Sequence, residues 1–217
     1  MSAPGGAVRT RLLSDGALKA ENFPLDDITM YLPEQGALVW VDLCNPDQAL
    51  LAALAAELGL DERAVEDVDG QRTRATRRTI HAFLTVYGTG VGPIIPGDIA
   101  SRLLTARISI IVLPAAVVTV RHENDPLRTV FDIDEVVRRW ADNSDLLRKG
   151  SPAVLHELLD VVVDEQFDTI RRSDTTKRDD LYDDLYDNVI RAGKWTELLR
   201  DMFTTVFDSL SRSLLTL

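Results

Sequence analysis

The sequence predicts an α/β fold, a mixed sheet flanked by helices, followed by a long C-terminal helix. Three observations carry that expectation. Runs rich in valine, isoleucine and leucine alternate with helical spacings as far as about residue 141. Ser151-Pro152 marks a helix start with proline in its first position. From Leu181 to Leu217 apolar residues recur at helical spacing without a clear stop.

Taken in order, residues 8–13 and 17–21 read as a hairpin around Ser14-Asp15-Gly16. Residues 37–43 (ALVWVDL) have the composition of a buried strand, and Asn45-Pro46-Asp47 ends it. Asp47 is the expected N-cap of a helix carrying Leu50, Leu51, Leu54 and Leu58, with Gly59 as its stop. A short helix is expected over 61–69, again opened by an acid, then strands over 79–87, 103–113 and 116–121, the last two joined by a tight turn at Pro114-Ala115. Residues 88–97, with four glycines and two prolines, read as a loop. Residues 127–141 read as a helix on the sheet.

Beyond Lys149-Gly150-Ser151-Pro152 the composition changes, dividing the chain into an α/β domain at 1–150 and an acidic helical part at 151–217. The first helix of that part presents an apolar stripe (Leu155, Leu158, Leu159, Val162, Phe167, Ile170) beside an acidic one (Glu157, Asp160, Asp164, Asp168). The second, over 179–217, would span roughly 60 Å at 1.5 Å per residue, and its near-heptad spacing suggests packing within an assembly. Gly193 marks a possible bend in it.

Composition narrows the function. With 45% hydrophobic and 27% charged residues in 217, the chain has the makings of a globular core. A formal charge of -11 disfavours nucleic acid and anionic lipid and favours cations. Between Glu157 and Asp187 eleven acids face four bases, a net -7 within 31 residues. The one cysteine, Cys44, reads as a small residue at a strand end, and no metal cluster of thiolates is available. The most apolar run, residues 108–120, is about 13 residues long against the roughly 20 of a spanning helix. The N-terminus lacks the apolar core of a secretion signal, so the chain is expected to be soluble and intracellular. His81, His122 and His156 are scattered, and no nucleophile elbow, phosphate loop or dinucleotide fingerprint occurs, so no enzyme is expected.

Five strings, VWVDLCNP, LGLDERAVEDV, VVTVRHE, VLHELLDVVVDEQFDTI and DDLYDNVIRAGKWTELLRDM, stand in the order found in the cytosolic domain of CorA-type magnesium transporters, which the chain resembles from about Val39 onward. The resemblance implies an α/β/α cytosolic domain, a stalk helix towards the membrane, two spanning helices and a homopentamer. The stalk pattern is still running at Leu217, and no Gly-Met-Asn pore motif occurs, so no pore residue is assigned. The helical hairpin that the family places between the fourth and fifth strings is shortened here to about residues 171–180.

By the same resemblance, Glu66, Asp67, Asp160 and Asp184 occupy the places where the family binds regulatory divalent ions between subunits, with Asp164 and Asp187 as secondary candidates. The expected ion is Mg2+, with Co2+, Ni2+ or Zn2+ as alternatives. Hard divalent cations take carboxylate, carbonyl and water oxygens, so aspartates suffice without histidine or cysteine. The expected mechanism is charge neutralisation: a bridging cation turns repulsion between subunits into attachment and locks the assembly closed. From the residues alone, Glu66 and Asp67 are solvated acids near Arg63 and Arg72, and Asp160, Asp164 and Asp168 are a solvated helix face. Tyr182 and Tyr186 could face water or a neighbouring subunit. The implied place is the cytoplasmic face of the cell membrane, reached through membrane helices outside this sequence. A same-fold zinc, cobalt or nickel transporter domain and a stand-alone metal-responsive domain are the rival readings.

Overall fold

The computed structural model describes residues 7–34, 36–60, 68, 75–77, 81–91, 103–123, 130–142 and 150–174. Strands β1 (Ala7–Ser14) and β2 (Ala17–Glu21) form the expected hairpin. Its two-residue turn places Asp15 at φ 53 and Gly16 at φ 79. Positive φ at both central positions matches the twist of the flanking strands, which explains the Asp-Gly pair. A 3-10 turn (Leu25–Asp27) runs into the single-turn helix α1 (Ile28–Tyr31), and β3 (Ala37–Cys44) follows.

Helix α2 (Gln48–Glu57) begins where the Asp47 carboxylate accepts the Leu50 N–H at 2.8 Å. It ends in a left-handed Gly59 at φ +61, with Leu60 N–H donating to the Ala55 carbonyl (2.8 Å) and Gly59 N–H to that of Ala56 (3.3 Å). That pair of bonds is the Schellman stop, which needs a residue tolerant of positive φ. Strands β4 (Ala75–Arg77), β5 (Ala82–Val91), β6 (Leu103–Val112) and β7 (Ala116–Glu123) follow, then helices α3 (Ile133–Asp142) and α4 (Ser151–Asp174).

The described strands make one sheet in the order β2-β1-β3-β7-β6-β5-β4. Only β3 and β7 run parallel, with Val41 opposite Val118, and the other neighbours are antiparallel. The sheet is therefore mixed, as expected. One face, including Trp40, Ile108, Ile110 and Val117, is covered by α3 and α4 through Val136, Trp140, Val154, Leu158 and Val161. The other, including Val39, Val41, Leu43, Val118 and Val120, is covered by Ile28 of α1, Leu51 and Leu54 of α2, and Val68. Burial on both faces accounts for the almost uninterrupted apolar run in β3. Its exception, Asp42, is 1% exposed and is held by both Arg121 Nε (3.0 Å) and Nη2 (2.9 Å) and by the Thr119 hydroxyl (2.7 Å).

Four expectations change. Strand β5 starts at Ala82 and continues to Val91 through Gly88 and Gly90, where a loop was expected. Phe131 packs over this stretch: a Cβ on Gly88 would sit 3.5 Å from Phe131 Cβ, an ordinary contact, so glycine here marks neither a turn nor a steric need. Helix α3 begins at Ile133, six residues later than the periodicity suggested. Asp132 is its cap, accepting the Asp134 N–H at 2.9 Å, and Asp132-Ile133-Asp134-Glu135 carries the capping-box spacing. On α4, Phe167 is 56% exposed, because the buried face runs on through Glu165 and Thr169 at steps of four from Val161. Glu157, expected on the acidic face, is instead buried beside Leu158. Of the expected helix over 61–69 only Val68, which is helical, is described, and the expected helix over 179–217 lies outside the described residues.

Candidate functional site

The acidic face of α4 meets α3 along a belt of charge. Asp160, Asp164 and Asp168 recur at every turn on the exposed side of α4. Arg139 of α3 reaches the first two, its Nη1 lying 2.8 Å from Asp164 Oδ2 and 3.4 Å from Asp160 Oδ2. Its Nε donates to Glu135 Oε1 at 3.1 Å. Burial of Arg139 lowers its pKa, but the bonds to Asp164 and Glu135 outweigh this and hold the guanidinium more firmly charged than usual. The two neighbouring arginines also draw the Glu135 carboxyl below its ordinary range. Arg138 spans Asp132 Oδ2 (2.7 Å) and Glu135 Oε2 (2.8 Å). Arg171 lies 3.7 Å from Asp168.

On the β1 side, Arg9 and Arg11 both contact Asp134 Oδ1, at 2.7 and 3.1 Å, and Arg11 also binds Glu21 at 2.9 Å. Burial raises the Asp134 carboxyl, and the two arginines more than reverse that, so it is lowered overall. The Arg11 guanidinium lies 4.9 Å from the centroid of the Trp40 ring, giving this buried cation an aromatic face.

Glu165 differs from its neighbours. It lies between α4 and the start of α3, and its Oε1 accepts the Asp132 N–H at 3.3 Å. Glu135, the residue placed to close a capping box on that N–H, is occupied by Arg138 and Arg139, and Glu165 takes over the role from the facing helix. Burial pushes its carboxyl up to about 7.

Of the expected metal residues, Asp160 and Asp164 are thus brought together on one helix face and joined by an arginine. Glu66, Asp67, Asp184 and Asp187 lie outside the described residues. Among the described residues no group of three or more His, Cys, Asp or Glu side chains is arranged to hold a metal ion. The arginine partners were not anticipated. The Glu135 pairs with Arg138 and Arg139 are readable as i,i+3 and i,i+4 spacings, whereas the reach of Arg139 to α4 has no local signal.

Residues 35–176 match the model of a protein family described as "CorA-like Mg2+ transporter protein". The chain belongs to this family. That family is one of ion transporters rather than enzymes, and the match runs from just before β3 to the end of α4, including Glu66, Asp67, Asp160 and Asp164 but neither Asp184 nor Asp187. No curated protein matches the chain. Among solved structures it is similar to the soluble domain of CorA from Methanocaldococcus jannaschii, with 13% identity and a TM-score of 0.52 over 88% of this chain and 67% of that one. It is also similar to the ZntB cytoplasmic domain from Vibrio parahaemolyticus, with 11% identity and a TM-score of 0.54 over 97% of this chain and 89% of that one. The full-length CmaX protein matches with 14% identity and a TM-score of 0.52 over 99% of this chain and 80% of that one. At these identities the likeness is one of fold, and it is the fold of the CorA soluble domain. Among the described residues no helix is long and apolar enough to cross a membrane.

Proposed function

We propose that this chain is the cytosolic metal-sensing and gating domain of a magnesium transporter. In this reading residues 1–150 form the α/β domain and residues 151–217 lead towards the membrane. Divalent cations bridge carboxylates of neighbouring subunits in a homopentamer and favour the closed state. Glu66, Asp67, Asp160 and Asp184 are the first carboxylates, and Asp164 and Asp187 their neighbours. Membership of the CorA-like family over residues 35–176 is the observation that carries the reading. The surplus of acid supports it: one guanidinium, Arg139, is shared by Asp160, Asp164 and Glu135. A hydrated Mg2+ held by few carboxylates binds modestly, which suits an ion present at millimolar concentration.

The test is a thermal melt with Mg2+ against Na+ at matched ionic strength. Millimolar Mg2+ should raise the melting temperature, because it binds the native assembly better than the unfolded chain. Asp67→Asn combined with Asp184→Asn should remove most of the difference, with Asp160→Asn tested beside them. If the double variant answers Mg2+ as the parent does, the sensing carboxylates are elsewhere. The same series with Zn2+, Co2+ and Ni2+ addresses the rival reading, a same-fold domain serving one of those ions.

A further inference from the structure

Helix α4 changes character half-way along. Over residues 153–162 it is held by apolar side chains: Val154, Leu158 and Val161 are at most 1% exposed and pack in the cluster around Trp40 and Val117. Over residues 163–169 no large apolar side chain is buried; Val163 is half-buried and Phe167 projects outwards. The attachments there are polar. Asp164 holds Arg139, and Glu165 accepts the Asp132 N–H. Gln166 Nε2 donates to the Tyr87 carbonyl at 2.8 Å, and the Thr169 hydroxyl donates to the Thr89 carbonyl at 3.0 Å.

The last two bonds fall on a particular stretch of β5. Among the described residues β4 pairs with β5 at Ala82, Phe83 and Leu84, and Tyr87 and Thr89 lie further along β5. Side-chain amide and hydroxyl donors from α4 thus tie the helix to the backbone of β5. The two halves of the helix respond differently to separation. Lifting residues 153–162 would expose apolar surface to water, whereas lifting residues 163–169 chiefly exchanges polar bonds for bonds to water.

We infer that α4 is a two-part helix, with an apolar anchor at residues 153–162 and a polar arm at residues 163–169 that releases from α3 and β5 while the anchor stays docked. Release of the arm breaks its bonds to β5 and to the N-terminal cap of α3 together, because Gln166 and Thr169 make the one set and Glu165 the other. It also changes the direction in which the chain leaves Asp174. This inference stands on contacts within the chain and is independent of any metal ion.

Amide hydrogen exchange on the 217-residue chain, followed as a function of urea, tests it. Amides of the arm should exchange at least about tenfold faster than those of the anchor and show a weak dependence on urea, as expected of an opening that exposes little surface. Those of the anchor should follow global unfolding. Gln166→Ala combined with Thr169→Val should speed the arm several-fold and leave the anchor unchanged, while Thr169→Ser, which keeps the donor, should behave as the parent. The inference is overturned if arm and anchor of the parent share one rate and one urea dependence, or if the double variant speeds both alike. The parent comparison decides the matter even should the double variant fail to fold.

Discussion

Asp42 and Arg121 sit on adjacent parallel strands, 1% and 5% exposed, as a two-pronged ion pair that Thr119 completes. Removing one partner leaves the other charge in the interior with much of its compensation gone. Asp42→Leu or Arg121→Leu alone should therefore cost about 3–5 kcal/mol, whereas the double replacement, which leaves no stranded charge, should cost much less. Urea unfolding of the two single variants and the double measures this, and equal losses in all three would refute it. Glu165 gives a pH dependence. Its carboxyl titrates at about 7 in the fold against an ordinary 4.5, so the native state binds the extra proton within that window. Stability should fall as pH rises from 4.5 to 7, and Glu165→Gln, which keeps an acceptor for the Asp132 N–H, should flatten that slope. Asp134 and Glu135 act with the opposite sign. Their lowered carboxyls stabilise the fold above the ordinary carboxylate range and lose that contribution as pH falls through it. A Gln variant with the parent's slope between pH 4.5 and 7 would remove Glu165 from the account. Neither the buried ion pair nor the Glu165 contact is visible in the sequence as a pair: Asp42 and Arg121 are 79 positions apart, and Glu165 meets Asp132 across 33.

At the scale of elements, boundaries set by a local device were legible and boundaries set by long-range pairing were not. Asp47 and Gly59 bracket α2 as read, because an N-cap and a left-handed stop act within a few residues. The capping box at the start of α3 was equally local, but the apolar residues before it, among them Val130 and Phe131, continued the pattern and masked the boundary. The β5 glycines were misleading for a different reason: Gly88 and Gly90 stay in the strand because they pair with Ala106 and Leu104 of β6, partners no short window contains. Asp47→Ala and Asp132→Ala should each destabilise by about 1 kcal/mol, with asparagine at either position retaining most of it. Asp132→Ala should show the larger loss, since its second oxygen also binds Arg138 at 2.7 Å. Denaturant midpoints compare the two directly. A reversed order would mean that the Arg138 bond adds nothing at the surface. On α4 the helical period was read correctly, yet the stripe drifted: the buried face passed through Glu165 and Thr169, and Phe167 was left outside. A polar residue on a buried face reveals itself only through its partner, here the Asp132 amide and the Thr89 carbonyl.

For the whole molecule, charge sets the expected behaviour. The three layers follow from strands that are apolar on both faces, whereas Asp160, Asp164 and Asp168 take no part in the core and lie on the exposed face of α4. A chain of formal charge -11 repels its own copies, and with eleven acids against four bases at 157–187 the repulsion is concentrated in that segment. Sodium can only screen it, at all charges alike, while a divalent ion shared by two carboxylates binds at one place and replaces repulsion with a bridge. In sedimentation at micromolar protein, the 217-residue chain should therefore be small without divalent ions and shift towards a larger species, with a pentamer as its limit, in millimolar Mg2+. Chelation should reverse the shift, and Na+ at matched ionic strength should not reproduce it. Arg139 makes the expectation sharper, because it already neutralises part of Asp160 and Asp164 within one chain. Arg139→Gln should weaken the metal-free association further and leave more room for Mg2+ to drive it, so that the Mg2+-induced change in sedimentation grows. Should the parent chain instead form a tight dimer indifferent to Mg2+ and to chelation, bridging by carboxylates is not what assembles it, and the acidic face of α4 is a solvated surface held in register by Arg139.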